Sequence, residues 1–146
     1  MLKPIYILNG PNLNRLGVRE PEIYGSTTLE EVERQCRAAA EGHPIIFRQS
    51  NSEEKIIDWI HEAIDESCAM LINPAAFTYY SMAIMDALKM YPYPVIEFHI
   101  SNVHRRESVY HNSLMSGVVT AVMSGTGTRG YVHAVRILLD MLNDGS

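Results

Sequence analysis

Tyr24, Arg19, His99 and Glu97 are the residues whose types and positions could do chemistry in this 146-residue chain, since each lies near the end of a short apolar run or in the polar stretch after one. Tyrosine has an unperturbed pKa of about 10, so Tyr24 serves as a base near neutrality only where positive charge favours its phenolate. Arg19 lies earlier in the same polar stretch and can supply that charge. Histidine titrates near neutrality, and His99 can protonate a leaving group; Glu97, two positions earlier, shares its strand face and can orient it. Asn9, Asn12, Asn73, Ser101 and Asn102 add neutral hydrogen-bonding groups at comparable places. The plainer reading is a solvated or packing Arg and Tyr and a hydrogen-bonded strand-end His. Spacing alone leaves both open.

The other signals point away from metals and nucleotides. Gly125-Thr-Gly127-Thr-Arg-Gly130 matches G-x-G-x-x-G, but no second strand with an acidic tip follows to complete a dinucleotide unit. Tight turning and close helix packing explain these glycines better. His99, His104 and His111 lack helical metal-ligand spacing, so no metal is expected. Cys36 and Cys68 form no C-x-x-C pair and read as free thiols in a reducing compartment. The eight methionines read as core filling.

Five apolar runs have to position these groups: Ile5 to Leu8, Ile45 to Arg48, Met70 to Ile72, Val95 to Phe98 and Val118 to Met123. They alternate with four amphipathic segments, the pattern of a parallel sheet with crossover helices. The first helix carries Leu29, Val32, Cys36 and Ala39 behind Thr27 and Glu30, which have capping-box spacing. The second starts from Ser52, the third runs from Thr78 to about Met90, and the last starts near Arg129. At 146 residues with 47% hydrophobic content, one domain spanning 1–146 is expected, with enough core to need no disulfide.

Two polar stretches, Gly10 to Gly25 and Ser101 to Gly117, are longer than structural connections need to be, and both follow strand ends. In an open parallel sheet, ligands bind beyond the carboxyl ends of the strands. With strand order 2-1-3-4-5, the polar groups after strands one, three and four converge on one crevice. Lys+Arg 12 against Asp+Glu 17 gives a charge of −5, so nucleic acid is not the expected partner. No 18-residue apolar run or signal-peptide core is present, and a soluble, cytoplasmic protein acting on a small molecule, away from membranes, is expected.

Asn9-Gly-Pro-Asn-Leu-Asn-Arg-Leu-Gly-Val-Arg-Glu-Pro-Glu-Ile-Tyr-Gly25 strongly resembles the signature of type II 3-dehydroquinate dehydratases. Arg48-Gln-Ser-Asn-Ser-Glu53, Asp58-Trp-Ile-His61, Asn73-Pro74 and Ile96-Glu-Phe-His-Ile-Ser-Asn-Val-His104 resemble further motifs of that family in the same order. The resemblance covers essentially the whole chain. It implies a flavodoxin-like α/β three-layer sandwich, no cofactor, and trimers assembled into a homododecamer. It also implies a reaction, loss of water across C1 and C2 of 3-dehydroquinate through an enolate to give 3-dehydroshikimate.

By the same resemblance, Tyr24 is the base for the C2 proton, assisted by Arg19 on a lid loop. Asn12 holds a water against the enolate oxygen, and His99, oriented by Glu97 with Asn73 beside it, protonates the C1 hydroxyl. Ile100 and Ser101 bind the substrate carboxylate, Arg106 is a second lid arginine, and Asp86 reaches into a neighbouring subunit's site. Two positions depart from the family pattern, where Tyr79 and Tyr110 replace a histidine and an arginine that contact ring hydroxyls. A related cyclic keto acid as substrate, or a binding role without catalysis, are the alternatives these departures raise.

Overall fold

In the computed structural model, residues 1–144 are described, so the last two residues of the expected domain lie outside the described residues. The chain forms β1 (Ile5–Asn9), α1 (Pro21–Tyr24), α2 (Leu29–Ala39), β2 (Ile45–Gln49), α3 (Glu53–Glu66), β3 (Ala69–Asn73), α4 (Met82–Lys89), β4 (Val95–His99), β5 (Ala121–Ser124) and α5 (Gly130–Asn143). All five strands are parallel, in the order β2-β1-β3-β4-β5. The alternation of runs and helices points to a parallel sheet, and the order is that of the flavodoxin-like fold the family resemblance implies.

Side-chain alternation divides the core into two layers. Ile5 and Ile7 of β1, Leu71 of β3 and Phe98 of β4 pack beneath α2 and α5 with Val32, Cys36, Tyr131 and Leu138. Tyr6, Leu8, Met70 and Ile72 face the opposite way, toward Ile56 and Ile60 of α3 and Ile84 and Leu88 of α4. Every residue of β1, β3 and β4 is buried, as a sheet covered on both faces requires. Gly130 opens α5 where a Cβ would come within 2.6 Å of the Phe98 ring, so close helix-to-sheet packing requires a glycine there.

The elements differ from the sequence expectations at their ends, for local reasons. The ladders of β1, β2, β3 and β4 each run one residue past the apolar run and include Asn9, Gln49, Asn73 and His99. The backbone continues pairing after the side chains turn polar. Thr28, not Thr27, caps α2, its hydroxyl accepting from the Glu31 N–H at 3.2 Å. The expected third helix is two pieces, a 3-10 turn over Ala75–Tyr79 and then α4, because the Ser81 hydroxyl caps a new helix by accepting from Ile84 N–H at 3.1 Å. The last strand starts at Ala121, not at Val118: Val118 N–H closes a turn onto Met115, and Val118 and Val119 pack against the α3/α4 layer. Among the described residues, no helix is long and apolar enough to cross a membrane.

Candidate active site

A cleft of about 210 Å³ opens at the carboxyl ends of β1, β3 and β4, between the two long loops. Its floor is a buried polar network. The Tyr131 hydroxyl donates to Asn9 Oδ1 at 2.8 Å and accepts from Asn73 Nδ2 at 2.9 Å. Asn73 Oδ1 accepts from the Ala75 N–H at 3.1 Å, and Asn9 Nδ2 donates to the Arg48 carbonyl at 3.0 Å. Each amide thus has both ends engaged, which fixes the strand ends under the cleft. Gly10 closes the floor: a Cβ there would lie 2.4 Å from the Pro74 carbonyl oxygen.

The first loop is anchored by Leu13 and Leu16, both buried in the core, and carries Asn12, Arg19 and Tyr24 to the cleft. Asn12 sits in the left-handed region (φ 71°), which asparagine tolerates, and its N–H donates to Asn51 Oδ1 at 2.9 Å. Two arginines attend Tyr24. The guanidinium of Arg19 lies 4.6 Å from the ring centroid and pairs with Glu20, while Arg106 Nη1 donates to the Tyr24 hydroxyl at 3.0 Å. The sequence suggested Arg19 as the charge beside the phenol oxygen. In the folded chain Arg106 occupies that place, and Arg19 covers the ring face.

Across the cleft, His99 Nε2 lies 2.6 Å from Glu97 Oε2. Both side chains project from the same face of β4, two residues apart. Glu97 is fully buried and also accepts from the hydroxyls of Thr78, Ser113 and Ser116 at 2.7 to 2.8 Å. Burial alone would push its carboxyl up; hydrogen bonds from His99 and Thr78, the His99 charge and the Ser116 bond outweigh it and hold the group down to about 2. An ionised carboxylate only accepts, so Nε2 of His99 carries the proton shared with it and Nδ1 is the nitrogen left to exchange a proton with a bound molecule.

Tyr79, Ile100, Ser101 and Tyr110 complete the wall. Tyr79 stacks on His99 at 6.4 Å and meets Tyr110 edge-on at 5.5 Å. Burial pushes the Tyr79 hydroxyl up to about 12, so it remains a neutral donor. Of the expected site residues, Glu97 lies buried behind His99 without lining the cleft, and Asp86 is away from it altogether. It lies exposed on α4, 3.9 Å from Lys89. Thr78, Ser113, Ser116 and Tyr131 were not anticipated: hydroxyls that serve a buried carboxylate, or an aromatic in a helix stripe, carry no local signature of that role.

An open, doubly covered parallel sheet with a polar cleft at its strand ends, lined by Tyr24 and His99, is a flavodoxin-like α/β fold. The model of the family described as dehydroquinase class II matches residues 3–139. Over 142 residues the chain is 53% identical to a protein of Agrobacterium fabrum named 3-dehydroquinate dehydratase 2, covering 96% of this chain and 97% of that one. A 3-dehydroquinate dehydratase of Streptomyces coelicolor is 51% identical over 146 residues, covering 98% and 93%. The structure of a type II dehydroquinase from Propionibacterium acnes superposes with a TM-score of 0.89 at 46% identity, covering 94% of this chain and 97% of that one. The chain belongs to the class II dehydroquinases, a family of hydro-lyases.

Proposed function

We propose that the chain eliminates water across C1 and C2 of 3-dehydroquinate, in the anti sense and through an enolate, to give 3-dehydroshikimate. The observation that carries this reading is the placement of two proton-handling groups on one small cleft, a phenol attended by two arginines and an imidazole backed by a buried carboxylate.

Tyr24, as phenolate, takes the C2 proton, and the C–H electron pair becomes the enolate. Arg106 at the phenol oxygen and Arg19 over the ring stabilise negative charge on Tyr24. Asn12 holds a water against the enolate oxygen, an oxyanion-type stabilisation. The enolate then reforms the ketone and its electrons make the C1–C2 double bond. The C1 hydroxyl leaves as water with the His99 proton, and Glu97 stabilises the imidazolium that supplied it. Passage of the proton from Tyr24 back to His99 resets the site. Ile100 N–H and Ser101 receive the substrate carboxylate, Asn73 supports the acid side, and Tyr79 offers a hydroxyl donor to the ring. The active form is a homododecamer of trimers in which Asp86 enters a neighbour's site, and the protein works in the cytoplasm.

Mixing the purified protein with 3-dehydroquinate tests this directly. The ultraviolet absorbance of a conjugated enone carboxylate should grow, and Tyr24→Phe should lower kcat by roughly 100- to 10,000-fold with the fold retained. No absorbance from the wild-type protein at saturating substrate overturns the proposal.

A further inference from the structure

Tyr110 lines the cleft, but its closest charged contact is a group of the protein itself. The guanidinium carbon of Arg106 lies 3.9 Å from the Tyr110 ring centroid. The same guanidinium donates through Nη1 to the Tyr24 hydroxyl. Tyr79 braces the Tyr110 ring edge-on at 5.5 Å, and His111 Nε2 lies 2.7 Å from the Arg106 carbonyl oxygen, tying down the backbone. Among the described residues Arg106 forms no ion pair with a carboxylate. Besides its bond to the Tyr24 hydroxyl and a longer approach to the Tyr24 ring at 5.8 Å, what holds this arginine is the ring face of Tyr110.

That difference matters chemically. A carboxylate partner would fix the guanidinium and also offset the charge it presents to Tyr24. An aromatic face fixes the planar group, excludes water from one side and leaves its full charge in place. A second cation at position 110 would repel Arg106 from this seat.

We propose that Tyr110 is a positioning residue. Its ring seats Arg106 so that the guanidinium meets the Tyr24 hydroxyl, and its effect on the reaction passes through Arg106. This rests on Tyr24 being the base. Charged or titratable groups face Tyr24 from every side: Arg19 from its own loop, itself paired with Glu20, Arg106 from the second loop, Tyr79 from the turn after β3, and His99 of β4 in the same cleft. Loss of the Tyr110 ring removes the seat of Arg106 and the edge contact with Tyr79, and leaves Arg19 in place.

The test compares Tyr110→Leu, which removes the ring, with Tyr110→Phe, which keeps it, in the intact protein. Tyr110→Leu should lower kcat about tenfold with little change in KM, the scale of one partly exposed cation–π contact, and should move the ascending limb of the pH–rate profile to higher pH. Tyr110→Phe should recover that kcat and the original profile. A readout that needs no turnover is labelling of Arg106 by phenylglyoxal, located by peptide mapping. It should quicken in the Leu variant and return to the wild-type rate in the Phe variant.

Unchanged labelling in Tyr110→Leu overturns the seat. Faster labelling with unaltered kcat and pH profile overturns its part in the reaction. A rise in KM alone, shared by both variants, makes Tyr110 a substrate contact and also overturns the proposal. Wild-type protein that labels as expected but turns over no 3-dehydroquinate overturns the function proposed above, and with it the catalytic role of the seat.

Discussion

His99 Nε2 lies 2.6 Å from Glu97, and three hydroxyls donate to the same carboxylate. The carboxyl is held below its ordinary range, at about 2, so the native state binds its proton more weakly than the unfolded chain does. Its contribution to stability is therefore complete above about pH 5 and is lost as pH falls toward 2. Glu97→Gln removes that contribution. In urea titrations the wild-type protein should lose stability steeply over this acid range; Glu97→Gln should be weaker at neutral pH and flatter below it. Its kcat should fall roughly 100-fold, because the imidazolium loses its counter-charge. Parallel pH–stability curves for the two proteins would contradict the assignment.

Ala75 has φ 50°, a left-handed conformation that an L side chain resists, at the point where the floor of the cleft turns away from Asn73. The Asn73 oxygen holds its N–H there. Ala75→Gly relieves the strain, offset in part by the greater entropy of glycine in the unfolded chain. The net expectation is a gain of about 0.5 to 1 kcal/mol in urea unfolding, with kcat preserved. A loss of stability would show that the alanine methyl packs more than it strains.

The parallel sheet was legible because apolar runs and helix stripes repeat strongly, its strand order only through the family resemblance, and the two long polar loops pointed to the correct end of it. Site geometry was legible only where residues share an element, as Glu97 and His99 share a face of β4. The resemblance named Arg106 as a lid arginine, but its bond to the Tyr24 hydroxyl was hidden, because it joins positions 82 apart and depends on how two loops fold over the cleft. The Ser81 cap was hidden as well: apolar spacing continues smoothly through it, and only the competition of its hydroxyl for the Ile84 N–H divides the helix.

Tyr131 is completely buried, and its hydroxyl joins two asparagines from neighbouring strands. Tyr131→Phe keeps the ring against Phe98, 4.4 Å away centre to centre, but strands an Asn9 oxygen and an Asn73 N–H in the interior. Leaving a buried polar group unsatisfied costs about 1 to 3 kcal/mol. Chemical denaturation should show a loss of about 2 to 4 kcal/mol. A change under 0.5 kcal/mol would mean that another partner takes over, contrary to the closed network.

Asp86 offers the sharpest test of whether one cleft needs two copies of the chain. It is exposed, its nearest cation is Lys89 on its own helix, and it does not line the cleft of its own subunit. If it serves a neighbour, Asp86→Ala should lower kcat about tenfold or more while leaving the subunit's stability within about 0.5 kcal/mol. Co-assembly separates this from a remote effect. Asp86→Ala subunits keep Tyr24, and Tyr24→Phe subunits keep Asp86, so an assembly of both contains sites that draw one intact residue from each. With random mixing in a ring, half the sites keep Tyr24 and half of those face an intact Asp86, so activity should return to about a quarter of the wild-type value. Activity no higher than the average of the two parent variants would place the role of Asp86 within its own subunit.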